Sequence, residues 1–206
     1  PWLMKPRSEA SAAGIFKFQH PDEVWRRIDQ LHDDQSFHLL EQLVPGDLYH
    51  VDSLVHGGKV AFAEVNGYRK PLLDVYQGGG IYSTRTVPRD RPEVAALKSA
   101  NAAVLEGFGL GNGAAHTEFM VAKSDGLPYF IETAARVGGA HTAEMVESAT
   151  GIDLWREWAR IEIARTEGGY KLPPVGKKYG GVVMSLARQE RPDTSGFTDP
   201  EIVPRA

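Results

Sequence analysis

The residues best suited to chemistry lie in one stretch: His116-Thr117-Glu118, then Glu132-Thr133-Ala134-Ala135-Arg136. Two apolar runs carry them, Ala115 to Lys123 and Leu127 to Thr133, and Ser124-Asp125-Gly126 joins the runs as a hairpin. Side chains two apart in a strand share a face, so His116, Glu118 and Met120 project together. A three-residue loop with a left-handed Gly126 sets Glu118 directly across from Glu132. One more loop residue puts them on opposite faces. Facing carboxylates repel unless a cation lies between them. An open site of oxygen ligands suits Mg²⁺, which takes one or two carboxylates and keeps other positions for water and phosphate. Arg136 is then placed to brace a phosphoryl group or an acyl phosphate. The blander alternative is a solvated sheet face with two unrelated acids. The neighbours Phe119, Met120, Tyr129, Phe130 and Ile131 argue against it, since both acids sit in core-like strands.

Two further segments have chemical potential. Lys5 ends an apolar strand before a loop of small residues that includes Ser11, where backbone N–H groups can approach phosphate oxygens. Neither G-x-x-x-x-G-K-[ST] nor G-x-G-x-x-G after a strand is present, and a plain surface connection is the alternative. Glu41-Gln42-Leu43-Val44 places an acid in an apolar strand before the turn Pro45-Gly46. Free backbone edges there can read an adenine while Glu41 accepts from its amino group; an ordinary edge strand is the alternative.

The elements that position these residues follow from pattern. Strands are expected over Trp2 to Pro6, Gly14 to Phe18 and Phe37 to Val44, the last of them buried. A helix opens at Pro21-Asp22-Glu23 with Val24, Ile28 and Leu31 on one face. Leu48 to Val55 and Lys59 to Val65 read as a hairpin closed by Gly57-Gly58, and Tyr76 to Ile81 as a flexible segment. A helix over Pro92 to Phe108 turns Val94, Leu97, Val104, Leu105 and Phe108 inward, with Asn101 interrupting that stripe. Arg136 to Gly139 is a loop and His141 to Ser148 a short helix. Asp153 caps a helix ending near Arg165, and Tyr179 to Arg188 is a last strand. The order is an α+β arrangement. Pro45-Gly46 divides a smaller lobe, in part, over residues 1–45 from a larger one over 46–186 that carries the acidic pair; 187–206 is a polar tail.

The 206 residues suffice for two lobes with a cleft, and 42% hydrophobic with 24% charged residues is ordinary for a globular chain. A net charge of -4 offers no general attraction to nucleic acid or anionic membrane, and neither is expected as a partner. The chain has no cysteine, which removes disulfides, thiolate ligands and cysteine nucleophiles and fits a cytoplasmic location. No apolar run approaches the roughly 20 residues that span a bilayer. The abrupt start at Pro1-Trp2-Leu3-Met4 reads as an entry in mid-protein, with an N-terminal domain lying before it.

Taken together these stretches resemble the ATP-grasp superfamily, in its carboxylate–amine ligase branch. The matching segments are Met4-Lys5-Pro6 with its loop, Leu40 to Gly46, Gly111 to Glu118, Tyr129 to Gly139 and Thr150 to Leu154. Each is weak alone; their order and spacing cover roughly residues 2 to 186. The resemblance implies two α+β lobes with antiparallel sheets clasping ATP. Lys5 and Ser11 would lie at the phosphates, Glu41, Gln42, Leu43 and Val44 along the adenine, and Met120 on its face. Glu118 and Glu132 would hold one or two Mg²⁺ ions, or Mn²⁺, and Arg136 would steady an acyl phosphate. In such a reaction His116 could orient a carboxylate or serve as acid/base, and a structural hydrogen-bonding role is the equal alternative. Two departures stand out. Ala134 occupies a position where the family often has a metal-binding Asn, and Leu48 one where a ribose-binding acid is common. Asp47 or Asp52 would take over the ribose, and the choice between the two is open. The implied reaction joins a small carboxylic acid to an amine with release of ADP and phosphate, with a homodimer as one possible assembly. A nucleotide-binding regulatory module without turnover and a carboxylase-type enzyme activating bicarbonate are the rival readings.

Overall fold

The computed structural model describes residues 1–8, 12–78, 80–167 and 169–185, excluding the side chains of 165–167 and 185. Ser11 and the 187–206 tail lie outside the described residues, as does the end of the last expected strand. Near the N-terminus, β1 (Trp2–Pro6) lies between β2 (Phe16–Phe18) and β3 (His38–Gln42) in a small antiparallel sheet. Helix α1 (Pro21–Leu31) covers it, packing Val24, Ile28 and Leu31 against Met4 and Phe18. Glu23 fixes the start of α1 by accepting hydrogen bonds from the N–H groups of Gln19 (2.8 Å) and His20 (3.1 Å). Strand β3 is not buried as expected. It is an edge strand, and Leu39 and Leu40 remain exposed.

The second sheet has six strands in the order β8-β7-β4-β5-β6-β9, each antiparallel to its neighbours. They are β4 (Gly46–His56), β5 (Lys59–Tyr68), β6 (Ile81–Thr86), β7 (Gly113–Ala122), β8 (Pro128–Ala134) and β9 (Gly181–Ser185). Gly57 and Gly58 both take positive φ, +58° and +73°, as the two-residue hairpin between β4 and β5 requires. The expected flexible segment at Tyr76 to Ile81 is a correction: helix α2 (Leu72–Gly78) ends there and β6 begins. Seven residues after Pro71 leave too short a run for helical periodicity to register.

One face of this sheet packs on α3 (Pro92–Gly107), where Val51, Val65, Val94, Leu97 and Phe119 form a core. Asn101, the break in the apolar stripe, is fully buried and donates to Ser53 Oγ at 2.8 Å. Phe108, expected inward, is exposed because the helix has ended at Gly107. On the other face, α4 (Thr142–Thr150) and α5 (Leu154–Glu167) bury Val146, Ile152, Leu154 and Ile161 against Leu54 and Phe62. Asp153 caps α5 through Arg156 N–H (3.0 Å). The architecture is α+β, and among the described residues no helix is long and apolar enough to cross a membrane.

Candidate active site

Glu118 and Glu132 are register partners on β7 and β8. They meet by a different route from the three-residue loop. Ala122 N–H donates to Leu127 O (3.0 Å) and Gly126 N–H to Ala122 O (2.9 Å), so the loop is 123–126, one residue longer. Val121, Met120 and Phe119 then pair with Pro128, Tyr129 and Phe130, a register that by itself would put the two acids on opposite faces. A β-bulge at Ile131 absorbs the extra residue and restores Glu132 to its place across from Glu118. The bulge also leaves the Ile131 carbonyl to accept from Lys5 Nζ at 3.1 Å.

The same face carries a row of polar side chains deep in the protein. Asp52 is fully buried between His50 Nδ1 (2.7 Å), Asn66 Nδ2 (2.8 Å) and His116 Nδ1 (2.8 Å). His50 Nε2 lies 2.7 Å from Thr84 Oγ1. Burial alone would raise the Asp52 carboxyl, but the neighbouring His50 and His116 rings outweigh it and hold Asp52 far below the ordinary carboxylate range. Burial likewise disfavours charge on His116, yet Asp52 and then Glu118 push it up to about 10. His116 Nε2 reaches to 3.6 Å from Glu118 Oε1. Tyr68 Oη donates to that same oxygen at 2.6 Å.

The two facing acids therefore differ. Against the cost of burial, the neighbouring His116 ring and the hydrogen bond from Tyr68 lower the Glu118 carboxyl. Glu132 is the more exposed of the two and is pushed up, first by partial withdrawal from water and then by the Glu118 charge, with Lys5 opposing. Both line a cavity of about 290 Å³ together with His116, Arg136, Gly139 and Thr142. Arg136 donates to Val137 O at 2.8 Å. Gly138 is buried, and a Cβ there would come within 2.8 Å of His116 Nδ1 and 2.9 Å of Asp52 Oδ1. Ala140 and His141 both adopt left-handed backbone, φ +54° and +60°, as the chain turns into α4.

Lys5 ties the small sheet to this site. Its ammonium is buried, 3.1 Å from Glu41 Oε2 as well as from the Ile131 carbonyl. Gln42 ends β3, and Leu43 N–H is committed to Pro1 O at 3.1 Å, with Val44 next in the link to β4. Met120 is half-buried on the Glu118 face, opposite Leu48. Neither acid considered for a ribose joins the group in an open position. Alternation along β4 turns Asp47 to the α3 side of the sheet, and Asp52 is consumed in the buried network.

His50, Asn66, Tyr68 and Thr84 were not among the expected site residues. The available signal is period-two placement: His50-x-Asp52 and Glu64-x-Asn66-x-Tyr68 alternate polar side chains through otherwise apolar strands.

This architecture recurs in solved structures. An L-amino acid ligase from Bacillus licheniformis matches with TM-score 0.64 at 22% identity, covering 88% of this chain and 43% of that one. The biotin carboxylase domain of a 2-oxoglutarate carboxylase from Hydrogenobacter thermophilus, in complex with MgADP, ADP and bicarbonate, matches at 0.63 and 20%, covering 88% and 40%. A D-alanine–D-alanine ligase from Bacillus anthracis complexed with ATP matches at 0.54 and 20%, covering 82% and 55%. These are ATP-grasp enzymes, and the fold of this chain is the ATP-grasp fold. The chain spans less than half the length of the first two of these structures. No protein-family model and no curated protein matches it.

Proposed function

We propose that this chain is the nucleotide-gripping part of an enzyme that activates a carboxylic acid with ATP and passes it to an amine. The observation that carries the reading is the facing pair Glu118 and Glu132, lining one cavity with Arg136 and lying beside Lys5, in this fold. In the proposed reaction a substrate carboxylate oxygen attacks the γ-phosphorus of ATP and the bond to the ADP oxygen breaks. The amine nitrogen then attacks the acyl carbon of the resulting acyl phosphate. Phosphate leaves, and the nitrogen loses a proton to give the amide.

The donor set suits a hard divalent cation. Two carboxylates face each other, and the charge of one pushes the other up, a repulsion that a cation between them would relieve. Mg²⁺ held by Glu118 and Glu132 would neutralise charge on the phosphates, and Mn²⁺ has similar ligand preferences. Ala134 supplies no third ligand. Tyr68 and His116 fix the Glu118 carboxylate, so its orientation is set before any ligand arrives. Arg136 is assigned to the acyl phosphate, where a guanidinium can bind two oxygens at once. Lys5 is assigned to the ATP phosphates, with Glu41 to Val44 along the adenine and Met120 against its ring. Positioning and charge neutralisation supply most of the acceleration in such transfers. In this reading residues 1–45 belong to the smaller lobe and 46–186 form the larger, and the absence of cysteine fits a cytoplasmic enzyme.

The test is ADP release by the full protein containing this chain, supplied with Mg²⁺, ATP and a mixture of amino acids. Stimulation by the mixture is expected. Tight ATP binding with no stimulated ADP would favour a regulatory module instead. ADP formed with bicarbonate and no amine would favour a carboxylase.

A further inference from the structure

Resting on that reading of the carboxylate pair, we propose that the adjoining cavity selects a carboxylic acid bearing one uncharged apolar or aromatic side chain, with Leu72, Tyr82 and Met184 as the selecting wall. The cavity is chemically two-ended. Its charged lining residues, His116, Glu118, Glu132 and Arg136, all belong to β7, β8 and the turn after β8. The other end is built from Leu72 and Val75 of α2, the Tyr82 ring of β6 and Met184 of β9. Tyr82 and Met184 are register partners on adjacent strands, so they form one continuous surface. Among the described lining residues, none at that end carries a formal charge.

An acid bound with its carboxylate towards Arg136 must therefore put its side chain against this wall. A charged side chain there would leave water without gaining a partner of opposite charge, and an apolar one would lose only hydration it is better without. The volume, about 290 Å³, lies at the small end of small-molecule sites and has room for an acid of amino-acid size. Bicarbonate has no body to use the wall at all. The wall is also held in place. Helix α2 is tied to the small sheet region by Lys17 Nζ to Asp74 Oδ1 (2.7 Å) and by Gln77 Nε2 to the Ile15 carbonyl (3.1 Å). Met is adaptable in shape, so Met184 tolerates branched and aromatic partners alike.

The experiment is calorimetric titration of the full protein, with Mg²⁺ and a non-hydrolysable ATP analogue, by glycine, leucine, phenylalanine, aspartate and lysine. Nucleotide affinity is measured first, by itself. Leucine and phenylalanine are expected to bind at least about tenfold more tightly than glycine, as one lost apolar contact of this kind is worth about 10–200-fold. Aspartate and lysine are expected to bind more weakly still. Met184→Arg should reverse the order in favour of aspartate without changing nucleotide affinity, and Leu72→Ala should weaken leucine more than glycine. Nucleotide binding with a flat ranking, or a ranking that Met184→Arg and Leu72→Ala leave unchanged, would overturn the pocket while sparing the carboxylate pair. Loss of nucleotide binding in the unaltered protein would overturn the reading of the pair and the pocket with it.

Discussion

At Asp52 a carboxylate sits out of reach of water with three hydrogen-bond partners around it, His50, Asn66 and His116. Removing one member of such a buried charged cluster costs about 3–5 kcal/mol, because the charges left behind are uncompensated. Asp52→Ala should lose stability on that scale in denaturant unfolding; a change near zero would mean the cluster is solvated. The pH dependence has a definite sign. His116 is raised from an ordinary 6.5 to about 10, so its contribution is fully present below about pH 6.5 and is lost as pH rises through about 10. The melting temperature should fall across that alkaline range, and Asp52→Asn should flatten the fall. Glu132 behaves in the opposite sense to an ordinary paired acid. Its carboxyl is raised, so ionising it costs stability as pH rises through the carboxylate range. Glu132→Gln should therefore raise the melting temperature of the metal-free protein by about 1–3 °C, since relieving a like-charge cross-strand pair is worth about 0.2–1 kcal/mol. A lowered melting temperature would mean that Glu132 is paired and stabilising.

Among the elements, the hairpin β7–β8 and the turn after it do the positioning. Gly138 packs where a methyl group would press on both partners of the His116–Asp52 hydrogen bond, and neither can move away because both are held in the network. Gly138→Ala should cost about 1–3 kcal/mol by overpacking and lower turnover at least about tenfold. Unchanged stability and activity would show that the turn gives way freely. This hairpin also shows how far the sequence could be read. Spacing put Glu118 opposite Glu132, and the pair does face across the ladder, but through a longer loop corrected by a bulge at Ile131. No local signature in Phe130-Ile131-Glu132 announces a bulge; it is set by the two ends of the hairpin together. Helices α1 and α3 were legible from apolar period, with Pro21-Asp22-Glu23 opening the first, and α5 from its cap at Asp153. Helix α2 was not, being one short stretch of seven residues held by tertiary contacts, with Leu73 and Val75 buried and Asp74 and Gln77 bonded to Lys17 and Ile15. Tyr68 and His50 were not legible because their roles depend on which distant strands become neighbours: β4 pairs with β7, and Tyr68 reaches Glu118 fifty positions along the chain.

In the molecule as a whole, two antiparallel sheets meet at Lys5. The buried ammonium is shared between Glu41 of the small sheet and the bulge carbonyl of the large one. A ligand with phosphate at that junction competes for Lys5 and draws on both sheets at once, so binding should stabilise the molecule as a unit. A ligand present at a hundredfold excess over its Kd adds about 2.7 kcal/mol to unfolding. Mg²⁺ with ATP should accordingly raise the melting temperature of the full protein, and Lys5→Ala should reduce that rise. An equal rise in Lys5→Ala would remove Lys5 from the nucleotide site.

The most direct measurement is the crystal structure of the full protein with a non-hydrolysable ATP analogue and Mn²⁺, located by anomalous scattering. An anomalous peak between the Glu118 and Glu132 carboxylates, in contact with the bound phosphates, is the expected result. Bound nucleotide with the metal held elsewhere, or with both carboxylates free of it, would contradict the assignment of this pair.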